Sequence, residues 1–350
     1  MKMINIKKTF YSIGQGCFYS EKIYFGDEIK TIVYDCGSEN GKSPNKNRLE
    51  KEIQQSGLDI IDFLVISHFH SDHINGIDEL KKHCTIKNVI IPKIDALDVA
   101  FYLGTNNTVE GLLLNPSLYF QGSNNSENPN IIEVSPEGEK GEINDSVKLP
   151  NNISQSTNIP VFRFKSNLIW ILRFYIDKRV FKNLNGLTQE QKNLIDKTLN
   201  ITDYSDNKEK LIEAYKKLSR KDINLTTMSM VSAPINTERF FFHRNNYPIS
   251  IMNGDILLSD EKRIKDYTNH FSDFKQHPFH FHIPHHGSHK NLSRPINEWR
   301  IEKGIVMSGY DNKYGHPSGM IIRKFKDSNI PLKKLTEYDR NYIKTYNIWY

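Results

Sequence analysis

Residues 68–73 read His-Phe-His-Ser-Asp-His, which places four metal-ligating side chains within six positions. Imidazole and carboxylate donors together suit zinc or another first-row divalent ion. The apolar run Leu64-Val65-Ile66-Ser67 precedes them and Ile74-Asn75-Gly76-Ile77 follows. In an extended segment alternate side chains share a face, so His68 and His70 can bind one ion together. If the chain then bends into a helix, Asp72 and His73 turn toward a neighbouring ion. The hexapeptide thus provides two half-sites back to back. Its place after a strand and before a Gly-containing helix start separates it from an ordinary His-rich surface loop.

The surrounding elements must hold this motif at a strand end. Residues 3–12, 17–25 and 30–34 read as strands, with Gly26-Asp27 as turn material. Residues 47–55 and 78–83 read as helices, 60–66 as a buried strand, and 88–91 as a strand stopped by Pro92. Between 101 and 225, polar stretches at 106–107, 123–126 and 137–144 show little periodicity and read as long surface loops. Within that region 159–164 and 168–175 are strand-like, with Trp170 and Phe174 able to share a face. Thr188-Gln189-Glu190-Gln191 is a capping-box pattern opening a helix to about residue 198. Ser205 can cap a second helix, 208–218, with Leu211, Ile212, Tyr215 and Leu218 at helical spacing. Strands resume at 228–233, 239–243, 249–253, 279–283 and 304–308, with 239–243 and 249–253 read as a hairpin. A helix at 318–325 and a terminal strand at 342–349 close the chain.

Other motifs follow in a fixed order: Ile13-Gly14-Gln15-Gly16-Cys17, Thr31-Ile32-Val33-Tyr34-Asp35-Cys36-Gly37, Met252-Asn253-Gly254-Asp255, Ile283-Pro284-His285-His286-Gly287-Ser288, then Ser308-Gly309-Tyr310 and Tyr314-Gly315-His316-Pro317. Together with the hexapeptide they resemble the metallo-β-lactamase superfamily, and within it the ComEC-like branch, the family of the competence-protein nuclease domain. The resemblance covers about residues 10–95 and 225–325, and Cys17 stands where that branch usually has Asp. It implies an α/β fold, a four-layer αββα metallo-β-lactamase sandwich with an inserted loop and helical segment. Residues 1–100 would form the first half, 226–350 the second, and 101–225 an insertion serving as lid or partner-docking element.

The resemblance also implies a site. His68, His70, Asp72, His73, Asp255 and His286 would bind two divalent ions, Zn2+ or Mn2+, with Asp255 bridging them. Asp35 and Ser288 would support the ligands, and Gly14 and Gly16 would permit a tight turn close by. Ser288, Lys290 and His316 would face the open side, where Lys290 neutralises a phosphate and His316 hydrogen-bonds a phosphoryl oxygen or protonates a leaving oxygen. Asp72 and His285 complete the expected catalytic set. Adjacent residues of an extended chain point to opposite faces, so one of His285 and His286 can ligate while the other lines the pocket. His286 is preferred as ligand and His285 as pocket residue. The branch usually has a further His ligand between the hexapeptide and the bridging Asp, where this chain has only His83 and His243. Neither is well placed, so Asp255 would be the only other protein ligand beside His68 and His70, and that ion site would be weak. His280 and His282 alternate with Phe279 and Phe281 and read as non-ligating.

Composition bounds the partners. At 350 residues, with 37% hydrophobic and 25% charged, the chain reads as a soluble globular protein of one or two domains. A net charge of +6 is compatible with a polyanion, and Lys178-Arg179, Lys216-Lys217, Arg220-Lys221 and Lys333-Lys334 could track a nucleic-acid backbone. Three unpatterned cysteines imply no disulfide framework and suit a reducing compartment. No apolar run is long enough to cross a bilayer, and residues 1–8 lack a signal-peptide core. A cytoplasmic protein with no membrane contact is expected, which argues against a role in DNA uptake. Two ions about 3.5–4 Å apart can activate a hydroxide between them for attack on a phosphodiester. The expected function is therefore a metal-dependent phosphodiester hydrolase, a nuclease with DNA favoured over RNA. Two alternatives stay open: a hydrolase of a small phosphodiester or nucleotide-like compound, and a partner-activated effector subunit of a defence or toxin system.

Overall fold

The computed structural model describes residues 3–39, 47–94, 98–99, 102–103, 109–121, 128–135, 158–164, 167–177, 188–190, 193, 226–235, 241–242, 247–293 and 299–349. In chain order the elements are β1 (Met3–Phe10), β2 (Gly16–Phe25), β3 (Glu28–Ser38), α1 (Arg48–Gln55), β4 (Ile60–Ile61), β5 (Phe63–Val65), α2 (Ser71–Ile74), α3 (Ile77–His83), β6 (Thr85–Ile86), β7 (Asn88–Pro92), α4 (Glu110–Leu114), α5 (Pro116–Tyr119), β8 (Asn130–Val134), β9 (Asn158–Phe164) and β10 (Asn167–Ile176). They continue with β11 (Met228–Pro234), β12 (Phe241–Phe242), β13 (Ile249–Met252), α6 (Glu261–His270), β14 (Phe279–His282), β15 (Ile301–Met307), α7 (Gly319–Asp327), β16 (Leu332–Leu335) and β17 (Tyr342–Trp349).

Two sheets face each other. One has the order β12-β17-β1-β2-β3-β5-β7-β8, the other β16-β15-β14-β13-β11-β10-β9. Alternation along the strands supplies the layer between them: Ile4, Ile6 and Phe10 from β1, Tyr19 and Ile23 from β2, Trp170, Leu172 and Phe174 from β10, and Met228 and Met230 from β11 pack into one buried cluster. Trp170 and Phe174 do share a face, as their spacing predicts. Each fully buried aromatic side chain contributes on the order of 1.5–3 kcal/mol. The outer faces are covered by helices. Leu49 and Ile53 of α1 and Ile77 and Leu80 of α3 pack outside the first sheet. Ile264 and Tyr267 of α6 and Ile321 and Phe325 of α7 pack outside the second. The architecture is the expected four-layer αββα sandwich. Its parallel strands β3, β5 and β7 in one sheet and β13, β14 and β15 in the other carry the site beyond their C-terminal ends.

Two expectations are corrected. The buried strand over 60–66 is broken at Asp62, which is itself buried and accepts from the Thr31 amide at 2.9 Å and from Lys87 Nζ at 3.0 Å. Ile60–Ile61 consequently pairs with β6 in a separate two-stranded sheet. The hairpin read over 239–253 does not form. β12 pairs with Ile348 and Trp349 of β17, while both edges of β13 are taken, by β11 and β14. The strands expected at 159–164 and 168–175 form as β9 and β10, and with β8 they join the two sheets. The helices expected at 188–198 and 208–218 lie outside the described residues apart from 188–190 and 193. Among the described residues no helix is long and apolar enough to cross a membrane.

Candidate metal centre

The first structural decision is at Asp35. β3 runs past its expected end at Tyr34, and its pairing with β2 slips between Phe18 and Tyr19, which oppose Cys36 and Tyr34. Asp35 is the extra residue of this bulge and takes a left-handed backbone, φ +53°. Bulges re-aim side chains, and here the carboxylate turns into the sandwich. It accepts from the Ser67 amide (2.7 Å), Ser67 Oγ (2.7 Å) and His73 Nδ1 (2.7 Å). Gly16 and Gly37 let the backbone of the hexapeptide approach. A Cβ on Gly37 would lie 2.5 Å from the His73 carbonyl carbon, and one on Gly16 would lie 2.1 Å from Gly37 O.

The partners of the histidines fix their tautomers. Ser67 Oγ gives its proton to Asp35, so it accepts from His68 Nδ1 at 2.9 Å. His73 Nδ1 donates to Asp35, and His286 Nδ1 donates to Met307 O at 3.0 Å. Asn291 spends its amide hydrogens on Asp255 O, so its oxygen accepts from His285 Nδ1 at 2.7 Å. In all four rings Nδ1 is thus held, and Nε2 is the nitrogen turned to the carboxylates of the centre. Held Nδ1 hydrogens are the usual way a protein orients metal-binding imidazoles.

Those nitrogens converge. His68 and His70 gather with Asp255, and Asp72 and His73 gather with His286, each group holding its ligand atoms within 4.8 Å of one another. Asp255 joins the two groups: Oδ2 lies 3.6 Å from His68 Nε2 and Oδ1 lies 3.2 Å from His73 Nε2. His286 Nε2 is 3.0 Å from Asp72 Oδ2. Tetrahedral bonds to zinc of 2.0–2.1 Å put neighbouring ligand atoms about 3.3 Å apart, so these spacings fit. His73 Nε2 and Asp255 Oδ1 are buried and have no hydrogen bond in line. Buried polar atoms without a partner are rare, and both point at the space an ion would fill.

The electrostatics make the same demand. Burial opposes charge on His73, but Asp255, Asp72 and Asp35 outweigh it and hold the imidazolium well above its ordinary range. Burial also works to raise Asp255, yet His285, His73 and His68 hold its carboxyl well below the usual carboxylate range. Burial, reinforced by His73, pushes His68 well below its ordinary value, so it stays neutral and able to ligate. A divalent cation would satisfy the Asp72 and Asp255 carboxylates together.

The His pair is not extended, contrary to expectation. β14 ends at His282, and His285 and His286 both take left-handed backbones, φ +49° and +53°. The loop is tied to the Asp255 turn through His285 N–H to Gly254 O at 2.9 Å. Both rings therefore face the centre. His286 meets Asp72, and His285 Nε2 lies 3.6 Å from Asp255 Oδ2. Of the other expected residues, Ser288 is buried and its Oγ accepts from the Lys290 amide at 3.3 Å, a turn contact. Lys290 is exposed. His316 stands next to His285, ring centroids 5.7 Å apart, and burial with the nearby His285 lowers its pKa to about 4. His83 bonds Glu79 on the helix surface, and His243 lies outside the described residues. His280 and His282 point into the buried layer between the sheets. Cys17 Sγ lies within 4.8 Å of ligand atoms of Asp35 and His73, beneath the centre.

Sequence reasoning missed Ser67, Asn291 and Tyr102, whose ring stands edge-on to His70 at 5.2 Å. Ser67 is the one with a local signal, since it abuts His68. Replacing Asp35 by Asn tests this layer cleanly, because Asn also tolerates the left-handed backbone. Asp35→Asn is expected to weaken metal binding about 10–100-fold, read by competition with a chelating dye. An unchanged affinity removes Asp35 from the orienting role.

Residues 23–150 match the family model of the metallo-beta-lactamase superfamily, and the fold is the metallo-β-lactamase sandwich. No curated protein matches the chain. Among solved structures, a long form RNase Z from yeast is similar at 10% identity and TM-score 0.30, over 80% of this chain and 32% of that one, so the chain spans about a third of its length. Unliganded yeast PDE1 is similar at 10% identity and TM-score 0.39, over 99% of both chains. A diphosphatase from the PhnP family is similar at 9% identity and TM-score 0.38, over 97% of both.

Proposed function

We propose that the chain is a two-metal phosphodiester hydrolase acting on DNA, of the ComEC-like branch. The observation that carries this reading is the convergence of four Nδ1-held imidazoles on Asp255 and Asp72. His68, His70 and Asp255 would hold one ion, with His285 offering the further imidazole that the interval before Asp255 lacks. Asp72, His73 and His286, beside Asp255, would hold the other. When bound, Zn2+ or Mn2+ ions supply an acidified water and a positive seat for a phosphoryl oxygen. His316, neutral at physiological pH, can donate a hydrogen bond to that oxygen or to the leaving oxygen. Lys290 neutralises phosphate on the exposed side. The segments of 101–225 between the sheet strands are proposed as lid or partner-docking elements.

The test is cleavage of plasmid and single-stranded DNA by purified protein in Mn2+, Zn2+, Mg2+ or EDTA. Metal-dependent cutting is expected. Cutting in EDTA, or none with metal bound, removes the DNA reading. Lys290→Ala is expected to slow polymer cleavage by severalfold, in line with the loss of one phosphate contact, and bis(p-nitrophenyl) phosphate hydrolysis by less. An equal effect on both substrates takes Lys290 out of the substrate groove.

A further inference from the structure

We propose that Tyr310, Tyr314 and Tyr338 form a stacking platform for unpaired nucleobases of the strand whose phosphodiester reaches the metal centre. The proposal rests on the nucleic-acid reading above and names the form of substrate it takes. The three side chains are 63%, 52% and 54% exposed. Rings this large are ordinarily turned inward, and a cluster of them left in water marks an interaction site.

The cluster leads outward from the ligands. His285 Nε2 faces Asp255 at 3.6 Å, and the His316 ring is 5.7 Å from the His285 ring. Tyr314 lies against His316, centroids 5.7 Å apart and planes inclined by 29°. Two ring steps therefore separate Tyr314 from an imidazole of the centre, within reach of a base one or two nucleotides from the scissile bond. Tyr310, on the same loop as Tyr314, meets Tyr338 of the neighbouring 336–339 turn edge to face at 5.4 Å.

The backbone that carries the rings is held in place. Asn312 braces the 309–316 loop, donating to Gly309 O (2.7 Å) and His316 O (2.6 Å) and accepting from the His316 amide (2.8 Å). Gly309 N–H donates to Gln15 Oε1 at 3.2 Å, and Tyr310 N–H donates to Glu337 Oε2 at 3.0 Å. The turn bearing Tyr338 is closed by Asp339 accepting from the Thr336 amide and hydroxyl at 2.8 and 2.7 Å. Little ordering remains to be done when a base arrives, and preorganisation of this kind favours affinity. The rim carries both signs of charge, with Glu39 Oε2 accepting from Tyr314 OH at 3.5 Å. Lys313 Nζ lies 4.9 Å from the Tyr314 centroid, a cation beside the ring where a linking phosphate would run. Every base offers a π-face, so such a surface is tolerant of sequence. It does require that the face be free, which a duplex does not provide.

The experiment measures binding of short labelled oligomers to the full chain in EDTA, by fluorescence anisotropy, so that turnover plays no part. The oligomers are oligothymidylate, oligouridylate, an abasic strand of equal length and charge, and a duplex. Oligothymidylate is expected to bind roughly tenfold or more tightly than the abasic strand. Tyr310→Ala with Tyr314→Ala collapses that ratio, Phe at both positions keeps it, and duplex binding moves little. A matching loss for oligouridylate shows that the base, not the sugar, is held. The proposal is overturned if the Ala variant keeps the ratio, if Phe fails to rescue it, or if the wild type binds the abasic strand equally well. Wild-type hydrolysis of bis(p-nitrophenyl) phosphate is measured alongside. A failed ratio with metal-dependent turnover intact sinks the platform alone, whereas absent turnover sinks the hydrolase reading.

Discussion

Asp72→Ala is expected to reduce hydrolysis to background while thermal unfolding stays cooperative. Asp72 sits in the first turn of α2 and offers Oδ2 to His286 at 3.0 Å, with His73 Nε2 4.0 Å away. Burial works to raise this carboxyl, but the neighbouring His73 and His286 rings outweigh it and hold it well below the usual carboxylate range. Its removal takes the carboxylate donor from one ion site. Losing a mere hydrogen-bond partner of a metal ligand costs about 10–100-fold, and losing a ligand costs more. The fold loses little, because the Asp72 side chain is 14% exposed and occupies no packed layer. A helix-start acid is worth about 0.3–1 kcal/mol. The measurements are turnover of bis(p-nitrophenyl) phosphate, metal content by elemental analysis, and circular dichroism on heating. Wild-type turnover in the variant rules out the assigned centre.

The largest stability effect is expected far from the metals, at Lys8. This side chain is wholly buried between the sheets, donating to Pro248 O and Ser250 Oγ at 2.9 Å each and lying 3.5 Å from Glu21. Glu21 also accepts from Tyr19 OH at 2.8 Å. Lys8→Ala leaves an uncompensated carboxylate in an apolar layer, a loss of about 3–5 kcal/mol. Lys8→Met combined with Glu21→Leu should recover most of it, because apolar replacements of buried ion pairs are often neutral. Chemical denaturation of the three proteins decides. A single-variant loss below about 1 kcal/mol means that the pair is not buried as an ion pair. The pH dependence carries its own sign. Burial lowers the Lys8 pKa to about 8, against an ordinary value of 10.5, despite the attraction of Glu21. Between those values the unfolded chain binds the extra proton, so stability relative to Lys8→Met rises as pH climbs from about 8.

What could be read from the sequence was what is local. The hexapeptide carries its own spacing, and α2 turns Asp72 and His73 away from His68 and His70 as that spacing demands. Asp255 was found by its place in the order of motifs, since an Asp after Gly is otherwise ordinary turn material. The roles of His285 and His286 were argued from strand alternation, which fails because both lie in a left-handed turn stapled to Gly254. The hairpin over 239–253 failed because strand pairing is long-range: β12 is claimed by β17, more than a hundred residues away. The bulge at Asp35 leaves no compositional trace, as its carboxylate is re-aimed by a register slip against β2. The tyrosine rim went unread because exposure in loops has no periodicity to betray it.

The candidate ligands come from both sheets. His68 to His73 follow β5, whereas Asp255 follows β13 and His286 follows β14. Any ion held there is thus a rivet across the seam of the sandwich, joining segments some two hundred residues apart in the chain. It can bind the assembled halves far better than the separated ones. Ions present at a hundred times their dissociation constant would add about 2.7 kcal/mol of folding free energy for each site. Metal supply and lifetime would then be coupled, since a chain without its ions would be the easier to unfold.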